Sequence, residues 1–205
     1  MKKTIMLIAA MCMTSVMTLA QDIIRVSTDK TDLVMKVSPK GRLYQVYLGD
    51  KFLNPADYNN LKWDVYAASD GSVCQSGHEV YATSGAEDFF EPAVAVTHAD
   101  GNMTTYLYYQ SSEQKAVKGG TETIITLKDK VYPLTVKLHY VAYAKENVIK
   151  AWSEISHKEK APITLWRYSS TMLYFKANKY FLTNYHSDWA KEGQPETTQL
   201  STGKK

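Results

Sequence analysis

Residues 133–143, Pro-Leu-Thr-Val-Lys-Leu-His-Tyr-Val-Ala-Tyr, alternate apolar and polar side chains along most of their length. Successive side chains of a β-strand point to opposite faces of the sheet, so this alternation predicts a strand with one packed face and one wetter face. Pro133 suits the first position of a strand. The packed face would hold Leu134, Val136, Leu138 and Tyr140, and the wetter face Thr135, Lys137, His139 and Val141. His139 is therefore predicted to be a solvated or sheet-face histidine and not a ligand.

The same period of two continues outward from this stretch, and no helical stripe longer than about two turns interrupts it. A hairpin is predicted around Ser38-Pro39-Lys40-Gly41, because the proline sets one backbone dihedral and the glycine accepts a positive φ. Short strands with turn residues between them predict an all-β fold, an antiparallel β-sandwich, in a single domain over 21–205. The other predicted strands are 32–37, 42–48, 103–110, 121–128, 148–156 and 163–175.

The segment 53–101 breaks the regular alternation. It carries closely spaced turn signals, among them Asn54-Pro55, Asp70-Gly71, Ser84-Gly85 and Asp100-Gly101. Loops on a rigid sheet are where binding residues concentrate. Any contact with a ligand or partner is therefore predicted to lie in this segment.

The first twenty residues have the pattern of a secretory signal peptide. Lys2 and Lys3 precede the apolar run 4–19, and the small residue Ala20 is followed by polar Gln21 and Asp22. The run is shorter than the 20 or so residues of a membrane-spanning helix. We expect cleavage near Ala20, a periplasmic or secreted mature chain, and no membrane association after cleavage.

Cysteine usage and charge exclude several classes of protein. Cys12 lies in the leader, so Cys74 is left alone and no internal disulfide is expected. The net charge is +3, of which Lys2 and Lys3 supply two units, leaving +1, and nucleic acid is not an expected partner. Phosphate-binding loops, nucleophile elbows and metal-ligand spacings are absent from the sequence. No catalytic residue, metal or organic cofactor is therefore predicted.

A more specific pattern lies at residues 79–101. Glu79-Val80-Tyr81 is followed by Gly85-Ala86-Glu87-Asp88-Phe89-Phe90-Glu91-Pro92-Ala93 and then by Asp100-Gly101. This resembles the N-terminal domains of bacterial α-galactosidases of glycoside hydrolase family 36, the melibiase type. These carry a Gly-x-x-Asp-aromatic-x-x-Pro-Ala segment after a tyrosine-containing strand, and then a short Asp-Gly or Asn-Gly turn.

Three further stretches follow in the order of that family, so the resemblance spans roughly residues 32–205. They are 43–49, the paired-strand region from 134–140 through 147–155, and Trp189-Ala190-Lys191-Glu192 with 200–203. Two positions depart from the pattern. Phe90-Glu91 stands where members have Arg and an apolar or small residue, and Gly193 replaces the usual Arg after Glu192.

The resemblance implies a supersandwich-like accessory domain of an exported enzyme. Family members continue into a (β/α)8 barrel whose two aspartates hydrolyse terminal α-galactosides with retention, which needs carboxyl groups about 5 Å apart. This chain is interpreted as truncated before that barrel, so we expect no hydrolase activity from it alone. The implied partners are α-galactoside-containing saccharides, through the family's catalytic domain, and the barrel or a neighbouring subunit in a homo-oligomer.

The same resemblance suggests four contact residues. Leu61-Lys62-Trp63-Asp64 matches a barrel motif whose Asp is the nucleophile, but it lies in the sandwich and the catalytic role is not transferred. Trp63 and Asp64 would instead lie near the sugar at the mouth of a catalytic pocket. Asp88 would shape its loop or make a contact there. Trp189 would pack against the barrel, leaving an exposed surface where the barrel is missing, or would stack on a sugar.

Two other functions stay open at this point. Fifteen tyrosines and four tryptophans suit half-buried strands, but aromatic rings also stack on sugars, so a free-standing carbohydrate-binding or interaction module is the main alternative. A purely structural exported sandwich is the other. The residues leave three questions open: whether a barrel follows Lys205 in the gene, which α-galactoside is used, and how many subunits assemble.

Overall fold

The computed structural model describes residues 23–62, 78–86 and 91–201. They belong to two compact units, the first ending at Met172 and the second beginning at Leu173. The strands are β1 (Ile23–Ser27), β2 (Thr31–Val37), β3 (Leu43–Asp50), β4 (Val94–Thr97), β5 (Leu107–Val117), β6 (Gly120–Asp129), β7 (Leu134–Tyr143), β8 (Val148–His157), β9 (Thr164–Tyr168), β10 (Phe181–Tyr185) and β11 (Pro195–Gln199). Every strand pair is antiparallel, so the predicted fold class is confirmed. A single domain over 21–205 stays a prediction.

The first sheet has the order β1-β2-β3. The predicted hairpin is confirmed: β2 and β3 pair from Thr31↔Asp50 to Val37↔Leu43, with a bulge between Val34 and Met35. Gly41 in the turn has φ of +80° and its amide donates to the carbonyl of Ser38 at 2.8 Å. This is the positive φ that the sequence required of a glycine there.

A 3₁₀ helix, η1 (Pro55–Asn60), follows this hairpin. Its end is tied to β2 by Lys36, a buried lysine whose Nζ donates to the carbonyl of Asn59 at 3.0 Å and to that of Leu61 at 2.5 Å. Burial lowers the pKa of the Lys36 ammonium. The two carbonyl groups replace part of the water that the charge has lost.

The second sheet has the order β5-β6-β7-β8 and pairs continuously from strand to strand. The predicted strands 121–128, 133–143 and 148–156 are confirmed to within one residue at each end. The predicted strand 103–110 is wrong in its bounds, since β5 begins at Leu107 and runs on to Val117. Side chains bond the amides before it, Thr104 N to Asn102 Oδ1 and Tyr106 N to Asp129 Oδ2. Beyond Gln110, β5 is an exposed edge strand, so its sequence shows no buried face.

The remaining sheet of the first unit pairs β4 with β9. Residues 78–86 lie between it and the first sheet: Tyr44 bridges to Glu79 on one side, and Thr83 bridges to Val94 on the other. β4 was not predicted, because it lies inside the loop-rich segment. The predicted strand 163–175 is wrong in its bounds, because β9 ends at Tyr168 and the next carbonyl, that of Ser169, accepts hydroxyl hydrogen bonds instead.

All three sheets of the first unit contribute to one hydrophobic core. Each fully buried aliphatic side chain there is worth about 1.5–3 kcal/mol of stability. The buried members include Val26, Leu33, Met35, Val94, Val96, Leu107, Ile125, Val136, Leu138 and Tyr140. The packed face predicted for β7 is therefore confirmed.

The other face of β7 decides between the two alternatives predicted for His139, which lies on the sheet face and is buried. Its Nδ1 lies 2.7 Å from Glu122 Oε1, and its ring stacks on Trp152 at a centroid distance of 4.7 Å. His139 and Val141 are both buried. Sequence alternation missed this, because cross-strand neighbours bury the middle of a sheet face that carries polar residues.

The second unit contains the hairpin of β10 and β11, which pair from Phe181↔Gln199 to Tyr185↔Pro195. Neither strand was predicted, because their short sequences show no alternating apolar face. The connection between them has two residues with positive φ, Ala190 at +62° and Gly193 at +74°. Within the described ranges, no helix is long and apolar enough to cross a membrane.

Candidate docking surfaces

Strand β9 carries three exposed apolar side chains, Leu165, Trp166 and Tyr168, which we call the β9 surface. Trp166 is 68% exposed and Tyr168 is 70% exposed. Trp166 is the unpaired residue of a bulge in β9, between Leu165, which pairs with Val96, and Arg167, which pairs with Ala95, so the two rings stand two residues apart on an exposed stretch of the strand. The Trp166 Nε1 donates to Thr97 Oγ1 at 2.8 Å, which holds one edge of the indole against β4. Exposed aromatic rings held in this way are typical of a binding surface.

Among the described residues, β9 pairs with another strand along only one of its two edges. It pairs with β4, with a bulge between Ala95 and Val96, and has no other strand partner there. At its far end the carbonyl of Ser169 accepts hydrogen bonds from Tyr81 and Ser153, each at 2.8 Å. The edge of β9 is therefore open along the strand between two fixed ends.

The near end of β9 is fixed by a buried polar cluster around His98. The imidazole Nδ1 lies 2.8 Å from Glu159 Oε1, and Nε2 lies 2.9 Å from Thr105 Oγ1. The ring stacks on Tyr132 with a centroid distance of 3.5 Å and an interplanar angle of 7°. Tyr132 donates its hydroxyl hydrogen to Asp100 at 2.9 Å. The cluster thus joins the turn after β4 to the segments after β6 and β8.

The electrostatics of this cluster favour ionised carboxylates. Burial alone would raise the pKa of Glu159. The hydrogen bonds from the amide of Ala99 and the side chain of His98 lower it by more, so the pKa lies below its ordinary value. The amide of Asn102 and the hydroxyl of Tyr132 lower the pKa of Asp100. Because an ionised carboxylate only accepts hydrogen bonds, the Nδ1 of His98 carries the proton that it shares with Glu159.

The second unit has its own exposed apolar side chains, which we call the ribbon surface. Both faces of the β10–β11 hairpin are exposed, with Phe181 and Tyr185 on one face and Leu182 on the other. Trp189, in the connection between the strands, is 91% exposed. An isolated two-stranded hairpin is marginally stable in water. A hairpin with aromatic rings on its open faces is therefore suited to packing against another protein surface.

A polar groove of about 650 Å³ lies between β1 and the edge of the second sheet. Gln114 crosses it, donating to the carbonyl of Arg25 and to Thr123 Oγ1, each at 3.0 Å. It is lined by Ile23, Ile24, Arg25, Ser27, Ser112, Glu113, Gln114, Thr121, Thr123 and Ala142. Its lining has no aromatic ring on which a sugar could stack.

Three of the four predicted contact residues, Trp63, Asp64 and Asp88, lie outside the described residues, as does Cys74. Trp189 is the fourth, and its exposure is compatible with packing on a barrel and with stacking on a sugar, so its role stays a prediction. Sequence reasoning missed Trp166 and Tyr168. Their spacing of two within a predicted strand was the available signal. Among the residues that the structure describes, no three His, Cys, Asp or Glu side chains are grouped to hold a metal ion.

Comparison with known proteins gives one family and one fold. A family model described as the glycosyl hydrolase family 36 N-terminal domain matches residues 41–205. The α-galactosidase of Lactobacillus brevis is similar in structure, with a TM-score of 0.73 and 21% identity. The galactosidase domain of an α-galactosidase-sucrose kinase gives 0.75 and 21%, and the α-galactosidase AgaA of Geobacillus stearothermophilus with raffinose gives 0.75 and 22%. Each match covers 89% of this chain and 28% of the other chain. No curated protein matches in sequence.

Proposed function

The chain belongs to the family of glycosyl hydrolase family 36 N-terminal domains, and we propose that it acts as the accessory domain of an exported α-galactosidase by docking on the catalytic part of that enzyme. The β9 surface is the observation that carries this proposal. It presents Trp166 and Tyr168 on the open edge of a strand whose two ends are fixed. The similar α-galactosidase structures are much longer, and this chain spans 28% of each.

The physical chemistry of the β9 surface supports docking. A tryptophan or tyrosine buries roughly 150–250 Å² in an interface, and such residues are enriched at binding hot spots. The indole of Trp166 is already oriented by its bond to Thr97, so less side-chain entropy is lost when a partner covers it. The ribbon surface of the second unit, with Phe181 and Tyr185, is by itself another apolar area that a partner could cover.

In this proposal the catalytic part performs the chemistry and the accessory domain supports it. The substrates are α-galactoside-containing saccharides, hydrolysed with retention by two carboxyl groups of the catalytic part. Trp63 and Asp64 are proposed to lie near the bound sugar. Homo-oligomerisation and export through the signal peptide over residues 1–20 are part of the same proposal.

The test begins with the gene. We expect the codons after Lys205, or a neighbouring reading frame, to encode a (β/α)8 barrel with two catalytic aspartates. Co-produced with that barrel, the chain should form a complex that hydrolyses an aryl α-galactoside, whereas the purified chain alone should show no turnover. Turnover by the chain alone, or absence of a complex with the barrel, would contradict the proposal.

Variants of the docking surface sharpen this test. Trp166→Ala and Tyr168→Ala should each weaken the complex by more than about tenfold, as expected for hot-spot aromatics. Val148→Ala is the matched control, because Val148 is an exposed apolar residue outside both surfaces and outside the segment 53–101. The proposal for Trp63 and Asp64 fails separately if Trp63→Ala and Asp64→Ala leave the kinetics of the complex unchanged.

A carbohydrate-binding module is the second candidate, and the exposed pair Trp166 and Tyr168 is also what favours it. Two aromatic rings in a row on a strand can stack on successive sugar units. Titration of the isolated chain with raffinose, followed by calorimetry, distinguishes the two functions. Saturable binding that is lost in Trp166→Ala would favour the module, and no binding would favour docking.

A further inference from the structure

Glu159 reaches back from the end of β8 to the turn that follows β4. Its Oε1 lies 2.8 Å from His98 Nδ1, and its Oε2 accepts the amide hydrogen of Ala99 at 2.9 Å. Both acceptor positions of the carboxylate are therefore used by consecutive residues of one turn. Glu159 lies 61 residues after His98 and 60 residues after Ala99, so these two bonds join distant parts of the chain.

The position of this contact matters because β9 starts only five residues later. Thr164, the first residue of β9, pairs with Thr97, the last residue of β4. Glu159 binds the two residues that follow Thr97. Both ends of the segment 159–164 are therefore bonded to the three residues 97–99. This fixes the position and direction in which β9 begins.

The partner of Glu159 is itself held rigidly. The side chains of His98 and Glu159 are almost fully buried, at 0% and 6% exposure. The imidazole is fixed by Thr105 on its other nitrogen and by the stacked ring of Tyr132. The turn below it is closed by a bond from the His98 amide to the Asn102 carbonyl at 2.8 Å. Glu159 is therefore bonded to a turn that is itself rigidly held and cannot move with it.

We propose that Glu159 and His98 are positioning residues that lock the start of β9 against β4 and so hold the β9 surface in the orientation that docks. The docking part of this statement rests on the proposed function. The lock on β9 rests on the contacts alone. Without the lock, the segment before β9 is released, and the pairing of β9 with β4 loses its fixed start at Thr164 and Thr97.

The chain offers a matched control in a second histidine–glutamate pair. His139 Nδ1 lies 2.7 Å from Glu122 Oε1, and both side chains are 8% exposed. These residues stand on β6 and β7, which already pair along their length from Thr121↔Ala142 to Lys128↔Thr135. Loss of this bond removes a similar interaction but releases no segment next to β9.

Hydrogen exchange in Glu159→Gln and Glu122→Gln tests the lock. A glutamine side chain has one acceptor oxygen in place of two and no charge, so in Glu159→Gln the amide of Ala99 and the ring of His98 cannot both keep the bonds that they make to the carboxylate. We expect peptides covering 158–168 to exchange about tenfold faster in Glu159→Gln, at a cost typical of one buried unsatisfied group. The same peptides should keep their wild-type rates in Glu122→Gln. Unchanged rates in Glu159→Gln, or an equal increase in both variants, would overturn the proposal.

Affinity for the catalytic part then tests the orientation. Glu159→Gln should weaken the complex about tenfold and Glu122→Gln should leave it unchanged, even if both variants lower the midpoint of chemical unfolding to a similar extent. Equal affinity of Glu159→Gln and wild type would overturn the docking role. If wild type does not bind the catalytic part at all, the proposed function fails, while the exchange measurement still decides whether Glu159 locks β9.

Discussion

The guanidinium of Arg42 donates two hydrogen bonds to the carboxylate of Glu79, at 2.7 and 2.6 Å. Both side chains are largely buried, and Arg42 also lies near the rings of Tyr106 and Tyr108. The pair fastens residues 78–86 to β3, next to the bond from the Val80 amide to the Leu43 carbonyl. These residues connect the first sheet to β4, so the pair lies at the seam between two sheets.

Breaking this pair should be costly. Glu79→Ala leaves the Arg42 charge buried without its partner, and we expect the free energy of unfolding to fall by about 3–5 kcal/mol. The control is Glu91→Ala, because the Arg167–Glu91 pair is half exposed at 40% and 51% and should be worth less than about 1 kcal/mol. Urea unfolding of both variants measures the difference. Equal losses would show that the Arg42–Glu79 pair is not a special anchor.

Gly85 should tolerate no side chain. Its φ is +74°, and a Cβ there would lie 2.7 Å from the Thr104 Cα and 2.8 Å from the Met103 carbonyl oxygen. Gly101 has a similar φ of +88° but no atom within 4 Å of the Cβ position. Gly101→Ala should therefore cost about 1–2 kcal/mol from backbone strain alone, and Gly85→Ala clearly more. Thermal unfolding of the two variants tests this ranking, and a reversed order would contradict the packing argument.

Asn147 should prefer glycine to alanine as a replacement. It has φ of +55°, and its side-chain oxygen accepts a hydrogen bond from Thr28 at 2.5 Å, which joins the β1–β2 turn to the β7–β8 turn. Asn147→Gly loses only the hydrogen bond, at about 1 kcal/mol, whereas Asn147→Ala also adds left-handed strain of about 1–2 kcal/mol. Chemical denaturation of both variants decides. An alanine variant as stable as the glycine variant would show that the φ carries no strain.

Stability should fall at acidic pH partly through Asp32. Burial alone raises the pKa of this carboxyl, but hydrogen bonds from Ser27 and Tyr58 and the charge of Arg25 lower it below its ordinary value of 3.8. A carboxyl with a lowered folded-state pKa contributes stability above its unfolded-state pKa, and this is lost as the pH falls through the folded-state value. Asp32→Asn should therefore flatten the decline in urea midpoint below about pH 4.

The exposed residue Asp57 provides the control for that measurement. Asp57→Asn should leave the shape of the acid profile unchanged. The pKa of Glu159 is lowered in the folded state, like that of Asp32, so part of the acid decline in stability should remain in Asp32→Asn. A variant profile identical to wild type would rule out Asp32 as a source of the acid sensitivity.

The sequence predicted most of the long strands and missed β1, β4, β10 and β11. Strands such as β7, with Leu134, Val136 and Leu138 in alternation, bury one face, and that burial is visible in composition. The exposed edge of β5 and the hairpin of β10 and β11 bury no complete face, so no alternation marks them. Of the exposed aromatic residues, the sequence singled out Trp189 but not Trp166 or Tyr168. The exposure of a strand residue depends on its neighbours in the fold, which a strand pattern does not specify.

What this sequence determined by itself was the all-β class, the opening hairpin with its positive-φ glycine, and the membership of the family, since all three depend on local periodicity, turn chemistry and short motifs in order. What only the tertiary structure decided was which polar residues meet. His98 and Glu159 lie 61 residues apart, and Arg42 and Glu79 lie 37 apart. The physical reason is that a hydrogen bond of a few ångströms is made after the sheets pack, and nothing in the local sequence of either partner encodes the distance between them.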